Sequence, residues 1–285
     1  MRYFIKISFL HKYLPFSYNL LFPQKGGDFI FIKSFKLKNI YFAVTVVLLI
    51  CAIVFFVFSF LFAYREYTRE TSAEISDKKV VYLTFDDGPS VVTEKILDVL
   101  KEEQIPATFF VTGATTDRGK TLYKRMKEEG HSIGIHSYSH KYSEIYLNSE
   151  AFMKDFTRLE EHLREIVGET PKIFRFPGGS TNSTVLPEVI SEIKNKIAEK
   201  GYVYFDWNAL GKDDLHTPTS SEDIFLNVIN SGKDRKRILI LMHDDAIRKT
   251  APDALEKIIK YYREKGYCFE VLTENTAPIQ FKKPQ

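Results

Sequence analysis

At 285 residues, with 44% hydrophobic and 27% charged residues, the chain has room for one large domain and the composition of a folded protein, which excludes a disordered one. Its net charge of +3 is unevenly spread: residues 1–39 carry seven Lys/Arg against the single acid Asp28, so everything beyond is mildly acidic. The main body therefore lacks the basic footprint of a nucleic-acid reader, and two cysteines, Cys51 inside an apolar run and Cys268 far from it, exclude a disulfide-held fold.

Residues 1–32 are aromatic-rich and basic, with a break at KGGDF (25–29), and no function is assigned to them. From 40 to 63 the sequence reads IYFAVTVVLLICAIVFFVFSFLFA without a charged residue. A helix of that length rises about 36 Å, more than a hydrocarbon core about 30 Å thick. A cleaved signal peptide has a shorter apolar core followed by small residues, whereas Tyr64 and Arg65 follow here. Lys33, Lys36 and Lys38 precede the run, while Arg65 and Arg69 after it are interleaved with Glu66 and Glu70. The positive-inside tendency then predicts a basic cytoplasmic segment over 1–39, a transmembrane helix over 40–63 and a polar stalk over 64–79. The body beyond is expected outside the cytoplasm.

Beyond the stalk, short β-rich runs at 80–85, 107–111, 132–135, 173–176, 202–205, 238–242 and 268–272 alternate with helical stretches. The helices are expected at 92–104, 120–129, 149–167, 184–200, 221–231 and 252–265. Phe152, Phe156, Leu159, Leu163, Ile166 and Val167 repeat at helical spacing and read as a core-facing stripe. Seven strands alternating with six helices predict a parallel α/β architecture, curled into a barrel or doubly wound. A single domain over 80–275, followed by a tail over 276–285, is the simplest account.

Polar residues gather at the C-terminal ends of these strands, where such folds place their sites. Asp86 and Asp87 end the first, His136 and His140 the third, Arg175 the fourth, Asp206 and Trp207 the fifth, and His243 the sixth. His136 and His140, four apart, share one face of a helical turn and can grip one metal ion. An added carboxylate such as Asp87 leaves coordination positions open, as catalytic sites do. Zinc suits these donors, and cobalt, nickel or manganese fit them too. Of the adjacent aspartates, one is expected to bind metal and the other to take a proton from water. His243, closing an apolar strand, is the expected general acid for a leaving amine, and Arg175 is placed to hold a carboxylate.

TFDDGP (84–89), HSYSH (136–140), RFPGG (175–179), DW (206–207) and LILMHD (239–244) occur in that order. Together they resemble the polysaccharide deacetylases, the NodB homology domain of carbohydrate esterase family 4, and the resemblance covers about 80–272. It implies a distorted, incompletely closed (β/α) barrel of about seven parallel strands. By position it makes Asp86 the general base, Asp87, His136 and His140 the metal ligands, Arg175 the partner of Asp86, and His243 the general acid tuned by Asp206. Leu241 and Trp207 would wall the acetyl pocket, and a backbone N–H near Gly178 would serve the oxyanion. Many relatives have an aromatic residue after the third-motif proline, where Gly178 and Gly179 stand here.

The activity so implied is metal-dependent release of acetate from an N-acetylated cell-envelope polysaccharide, with peptidoglycan N-acetylglucosamine leading. The alternatives are N-acetylmuramic acid, another glycan or an O-acetyl ester, and, outside enzymes, a membrane-tethered glycan-binding module. One divalent cation and a membrane are the expected associates; neither nucleic acid nor a protein partner is expected.

Overall fold

The computed structural model describes residues 37–214 and 219–282; residues 1–36, most of the expected basic segment, lie outside them. The chain divides into two compact units, residues 1–76 and 77–285. In the first, helix α1 spans Leu37–Asp77. Within it, Val44–Arg65 is long and apolar enough to cross a membrane, and every side chain along that stretch is exposed. The helix runs on through the expected stalk because residues 64–77 contain neither Gly nor Pro to end it.

In the second unit strands and helices alternate as β1 Val80–Asp86, α2 Val91–Glu102, β2 Thr108–Thr112, α3 Asp117–Glu128, β3 Ser132–Ser137, α4 Tyr142–Ile145, α5 Ser149–Val167, β4 Ile173–Phe174, α6 Pro187–Glu199, β5 Val203–Tyr204, β6 Ala209–Leu210, α7 Ser221–Gly232, β7 Arg237–His243, α8 Ala251–Glu264 and β8 Cys268–Phe269. All pairings are parallel, in the order β5-β4-β3-β2-β1-β7-β6, with β8 beside the start of β1. Among the described residues nothing pairs β5 with β6, so the curled sheet stays open along that seam. Short α4 and the two-residue β6 were not expected from the sequence. Neither is long enough to show a period.

Strand alternation sorts the side chains into two layers. On β1, Val81, Leu83 and Phe85 join the core beneath the helices. Val80 and Tyr82 join the smaller core inside the curl, and Asp86 continues that inner row. On β7, Ile238, Ile240 and Met242 face the helices while Leu239 faces inward, so Leu241 and His243 follow it. Past β4 the same parity makes Ile173 and Arg175 inner residues and Phe174 and Phe176 outer ones. The expected stripe on α5 is buried at Phe152, Phe156, Leu159, Leu163 and Val167. That helix is capped by Asn148, whose side chain accepts from Ala151 N–H, and ends at left-handed Gly168.

His131 is buried between α3 and β3, with Nδ1 accepting from Ala107 N–H at 3.1 Å. Burial holds its pKa down from 6.5 to about 4, against the pull of Glu129 and with the help of Arg125. Below pH 6.5 the unfolded chain takes up a proton that the folded one refuses. Stability is therefore complete above pH 6.5 and falls as pH drops towards 4, by about 3 kcal/mol. His131→Asn, whose amide oxygen can accept the Ala107 hydrogen bond, is expected to flatten that slope. Denaturant melts at pH 7 and 4.5 check it; equal acid losses in both proteins refute it.

Candidate active site

The inner rows end in one cleft of about 550 Å³, lined by Asp86, Asp87, His136, His140, Tyr142, Gly178, Trp207, Leu210, Lys212, Asp213, Asp214, Leu241, His243 and Arg248. Of the ten residues singled out in the sequence, eight line it. Arg175 lies beneath, with no exposed surface, and Asp206 lies elsewhere.

Asp87 Oδ1 lies 3.4 Å from His136 Nε2 and 3.1 Å from His140 Nε2, and these three donor atoms fall within 4.8 Å of one another. His136 Nδ1 sits 2.9 Å from the Arg175 carbonyl oxygen. A carbonyl only accepts, so Nδ1 carries the proton and Nε2 faces Asp87. Asp87 Oδ1 is buried without a hydrogen-bond partner, a costly state for a carboxylate oxygen unless a cation completes it. Burial raises the Asp87 carboxyl, but the adjoining His136, then the charges of His140 and His243, pull it below the ordinary carboxylate range. Two imidazoles and an anionic oxygen fit a divalent cation.

The two histidines do not share a helical turn. His136 is on β3, and His140 follows in a loop with φ +52, a left-handed conformation also adopted by Asp87 at φ +79. Non-glycine residues resist that region, so their surroundings must hold them there. Asp155 on α5 holds the histidine loop: its carboxylate accepts from Ser137 Oγ and Tyr138 N–H at 2.7 Å and from Ser139 N–H at 2.9 Å. The DDG turn is held by Asp244, which accepts from Gly88 N–H at 2.7 Å and Thr93 Oγ1 at 2.5 Å. Burial pushes Asp244 up to about 7 against those two hydrogen bonds. A Cβ on Gly88 would fall 2.1 Å from Asp244 Oδ2, so only glycine fits the turn. Asp155→Asn would set an NH₂ against one of the loop's donors. It is expected to weaken binding of the cation about 10- to 100-fold while moving the metal-free melting temperature little. Chelator competition measures the first; unchanged affinity counts against a positioning role.

Asp86 accepts from Arg175 Nη1 at 2.8 Å. The guanidinium also donates to Thr84 Oγ1 and to the Phe205 and Asp206 carbonyls, and it stacks 4.2 Å from the Phe110 ring. Every nitrogen of this buried cation therefore donates at least once, which makes it a rigid support for one carboxylate.

Asp206, expected to tune the acid side of the site, makes its hydrogen bonds elsewhere than to His243. The Asp206 carboxylate accepts from Ser180 N–H at 2.8 Å, Ser180 Oγ at 2.6 Å and Phe281 N–H at 2.7 Å. It braces the third-motif loop against the C-terminal segment. The carboxylate on His243 is Asp213, whose Oδ1 lies 2.9 Å from Nδ1 and whose Oδ2 accepts from His243 N–H at 2.8 Å. Burial lowers the His243 pKa, but the Asp213 hydrogen bond and charge, then Asp86 and Asp87, raise it to about 10. Asp213 follows β6 by three residues, at the end of a strand the sequence did not reveal. The paired acids at 213–214 were its one visible signal.

Gly178 N–H has no hydrogen-bond partner among the described residues. Leu241, 7% exposed, and Trp207, edge-on to Phe281 at 5.0 Å, supply the apolar wall. The cleft thus offers a cation seat, a carboxylate free to accept a proton, an imidazolium and a backbone donor, the parts that hydrolysis of an acyl group requires.

Comparison with known proteins agrees with this chemistry. Residues 73–194 match the family model described as polysaccharide deacetylase. A peptidoglycan-N-acetylglucosamine deacetylase of Bacillus cereus is 33% identical over 210 residues, covering 72% of this chain and 74% of that protein. A putative polysaccharide deacetylase of Bacillus subtilis, YheN, is 34% identical over 214 residues, 74% of this chain and 72% of its own. The catalytic domain of the peptidoglycan N-acetylglucosamine deacetylase from Eubacterium rectale superposes with a TM-score of 0.68 at 34% identity, over 73% of this chain and 94% of that domain. With fold, motifs and extended identity coinciding, the chain belongs to the polysaccharide deacetylase family, the NodB homology group of carbohydrate esterase family 4.

Proposed function

We propose that this protein is a membrane-anchored hydrolase that removes acetyl groups from peptidoglycan, at N-acetylglucosamine, with a divalent cation held by Asp87, His136 and His140. The observation that carries the reading is the orphaned Asp87 Oδ1 beside two imidazole nitrogens, flanked by an Arg-held carboxylate and an Asp-held histidine. The names of the relatives from Bacillus cereus and Eubacterium rectale support the substrate. The apolar stretch of α1, with positive charge before it, supports an anchor with the catalytic unit outside the cytoplasm.

When bound, the cation would polarise the acetamide carbonyl and make water more acidic; zinc suits the donor set. Asp86, oriented by Arg175, accepts a proton from the attacking water. Gly178 N–H donates to the oxygen that gains charge. His243, its Nδ1 proton fixed on Asp213, gives its Nε2 proton to the sugar nitrogen as the carbon–nitrogen bond breaks. Acetate and a free amino sugar result.

Full-length protein in detergent, supplied with zinc, cobalt, nickel or manganese, is expected to release acetate from purified peptidoglycan. Digestion and mass spectrometry then show which sugar has lost 42 Da, an acetyl group exchanged for hydrogen. Silence with every metal on every N-acetylated glycan, while glycan still binds, would favour a binding module.

A further inference from the structure

Resting on the deacetylase reading, we infer that Tyr142 is the substrate-positioning aromatic of this cleft, taking a sugar ring of an N-acetylglucosamine oligomer beside the exposed backbone of Gly178. Tyr142 begins α4, immediately past the His140 loop. Its ring stands edge-on to His140 at 5.4 Å and to Tyr146 at 5.7 Å. Tyr146 is itself anchored by its hydroxyl to the Pro177 carbonyl at 2.8 Å. The tyrosine thus packs against both neighbours yet stays 38% exposed, and it lines the cleft.

Geometry ties it to the glycines. A Cβ on Gly178 would lie 3.0 Å from the Tyr142 hydroxyl and 2.6 Å from Asn182 Nδ2, on a backbone at φ +75. A Cβ on Gly179 would meet the Trp207 ring at 3.1 Å. Gly178 is therefore exposed backbone beside Tyr142 in the cleft wall, whereas Gly179 is buried under Trp207. A side chain directly after Pro177 would have to displace Asn182 and crowd the Tyr142 hydroxyl, on a left-handed backbone. The Tyr142 hydroxyl has no hydrogen-bond partner among the described residues, which leaves it free to donate to a sugar oxygen. An aromatic face held rigid at a polar cleft, with one unspent donor at its edge, matches a pyranose, whose C–H face is apolar and whose rim is hydroxylated.

Trp207 is the only tryptophan in the chain and lies in the cleft, so its fluorescence reports occupancy without turnover. Metal-free full-length protein is titrated with N-acetylglucosamine oligomers of increasing length, and kcat and KM are measured separately on the metal-loaded enzyme. Tyr142→Ala is expected to weaken oligomer binding about tenfold and to raise KM by a similar factor, with metal content and melting temperature held. Tyr142→Phe should recover most of the loss, because the ring remains. Unchanged binding in Tyr142→Ala overturns the inference, and so does metal loss in step with activity, which would make the ring mere packing for His140. A wild-type protein that binds oligomers without releasing acetate would defeat the deacetylase reading and leave the aromatic platform standing.

Discussion

Asp86→Asn is expected to lower turnover about 10³-fold or more while leaving metal content within a few-fold of the wild type. The asparagine oxygen can still accept from Arg175 Nη1, as Asp86 Oδ1 does at 2.8 Å, so the residue keeps its orientation. What it loses is the capacity to hold a proton taken from water. Asp86 is not among the three grouped donors, and its Oδ2 lies 3.9 Å from His136 Nε2, so the cation seat stays whole. Removing a charge beside a buried cation costs about 3–5 kcal/mol when nothing replaces it, and less here because the asparagine oxygen and three other acceptors remain on the Arg175 guanidinium. Acetate release, metal per chain and a thermal melt on the same preparation check it. Parallel loss of metal and activity would mean that the two aspartates have exchanged roles.

Asp213→Asn is expected to cut kcat by about 10²-fold and to move the alkaline limb of the pH–rate profile towards neutrality. The carboxylate presently holds His243 from two sides and, with Asp86 and Asp87, keeps the imidazole protonated up to about 10. A general acid works only while it carries its proton, so activity falls as pH rises through that pKa. Without the Asp213 charge, burial is opposed less strongly and the His243 pKa drops. Rate is then lost at a lower pH, and the amide NH₂ that faces His243 N–H tilts the ring. Profiles of kcat over pH 5 to 10 measure the displacement. An unmoved limb with reduced kcat would assign Asp213 a packing role only. Asp206→Asn, by contrast, should leave the limb in place, because that carboxylate serves Ser180 and Phe281.

The difference between those two aspartates marks where the sequence stops being readable. The motif DW at 206–207 sits at the end of an evident β-rich run, and the family resemblance gives its acid a role on the acid side of the site. Asp213 follows β6, a two-residue strand paired with Ile240 and Leu241 of β7 that shows no alternation of its own. The metal trio was legible because donor chemistry survives any detail of backbone, and Asp87, His136 and His140 do converge. Their conformation was not: spacing of four suggested a helical turn, whereas a carboxylate on α5 bends the loop into place. Long-range hydrogen bonds of that kind leave no periodic trace. The strand alternation that carries Asp86, Arg175 and His243 to the interior emerges only in the packing, because runs such as VVYLTF and ILILM are apolar on both faces.

Parallel pairing of β1 with β7 sets Asp86 opposite His243 in register. The two groups that would handle the protons are thus neighbours across one ladder, though ~150 residues of chain separate them. At ribosomal speeds of about 5–20 residues per second, β1 waits about 10–30 s for that partner to be made. Until then neither side of the chemistry has its opposite number, and a nascent chain is inert towards any glycan it meets. A premature stop before residue 237 would leave β1 with β2 alone of its three partner strands, and quality-control proteases would meet it as an open sheet edge.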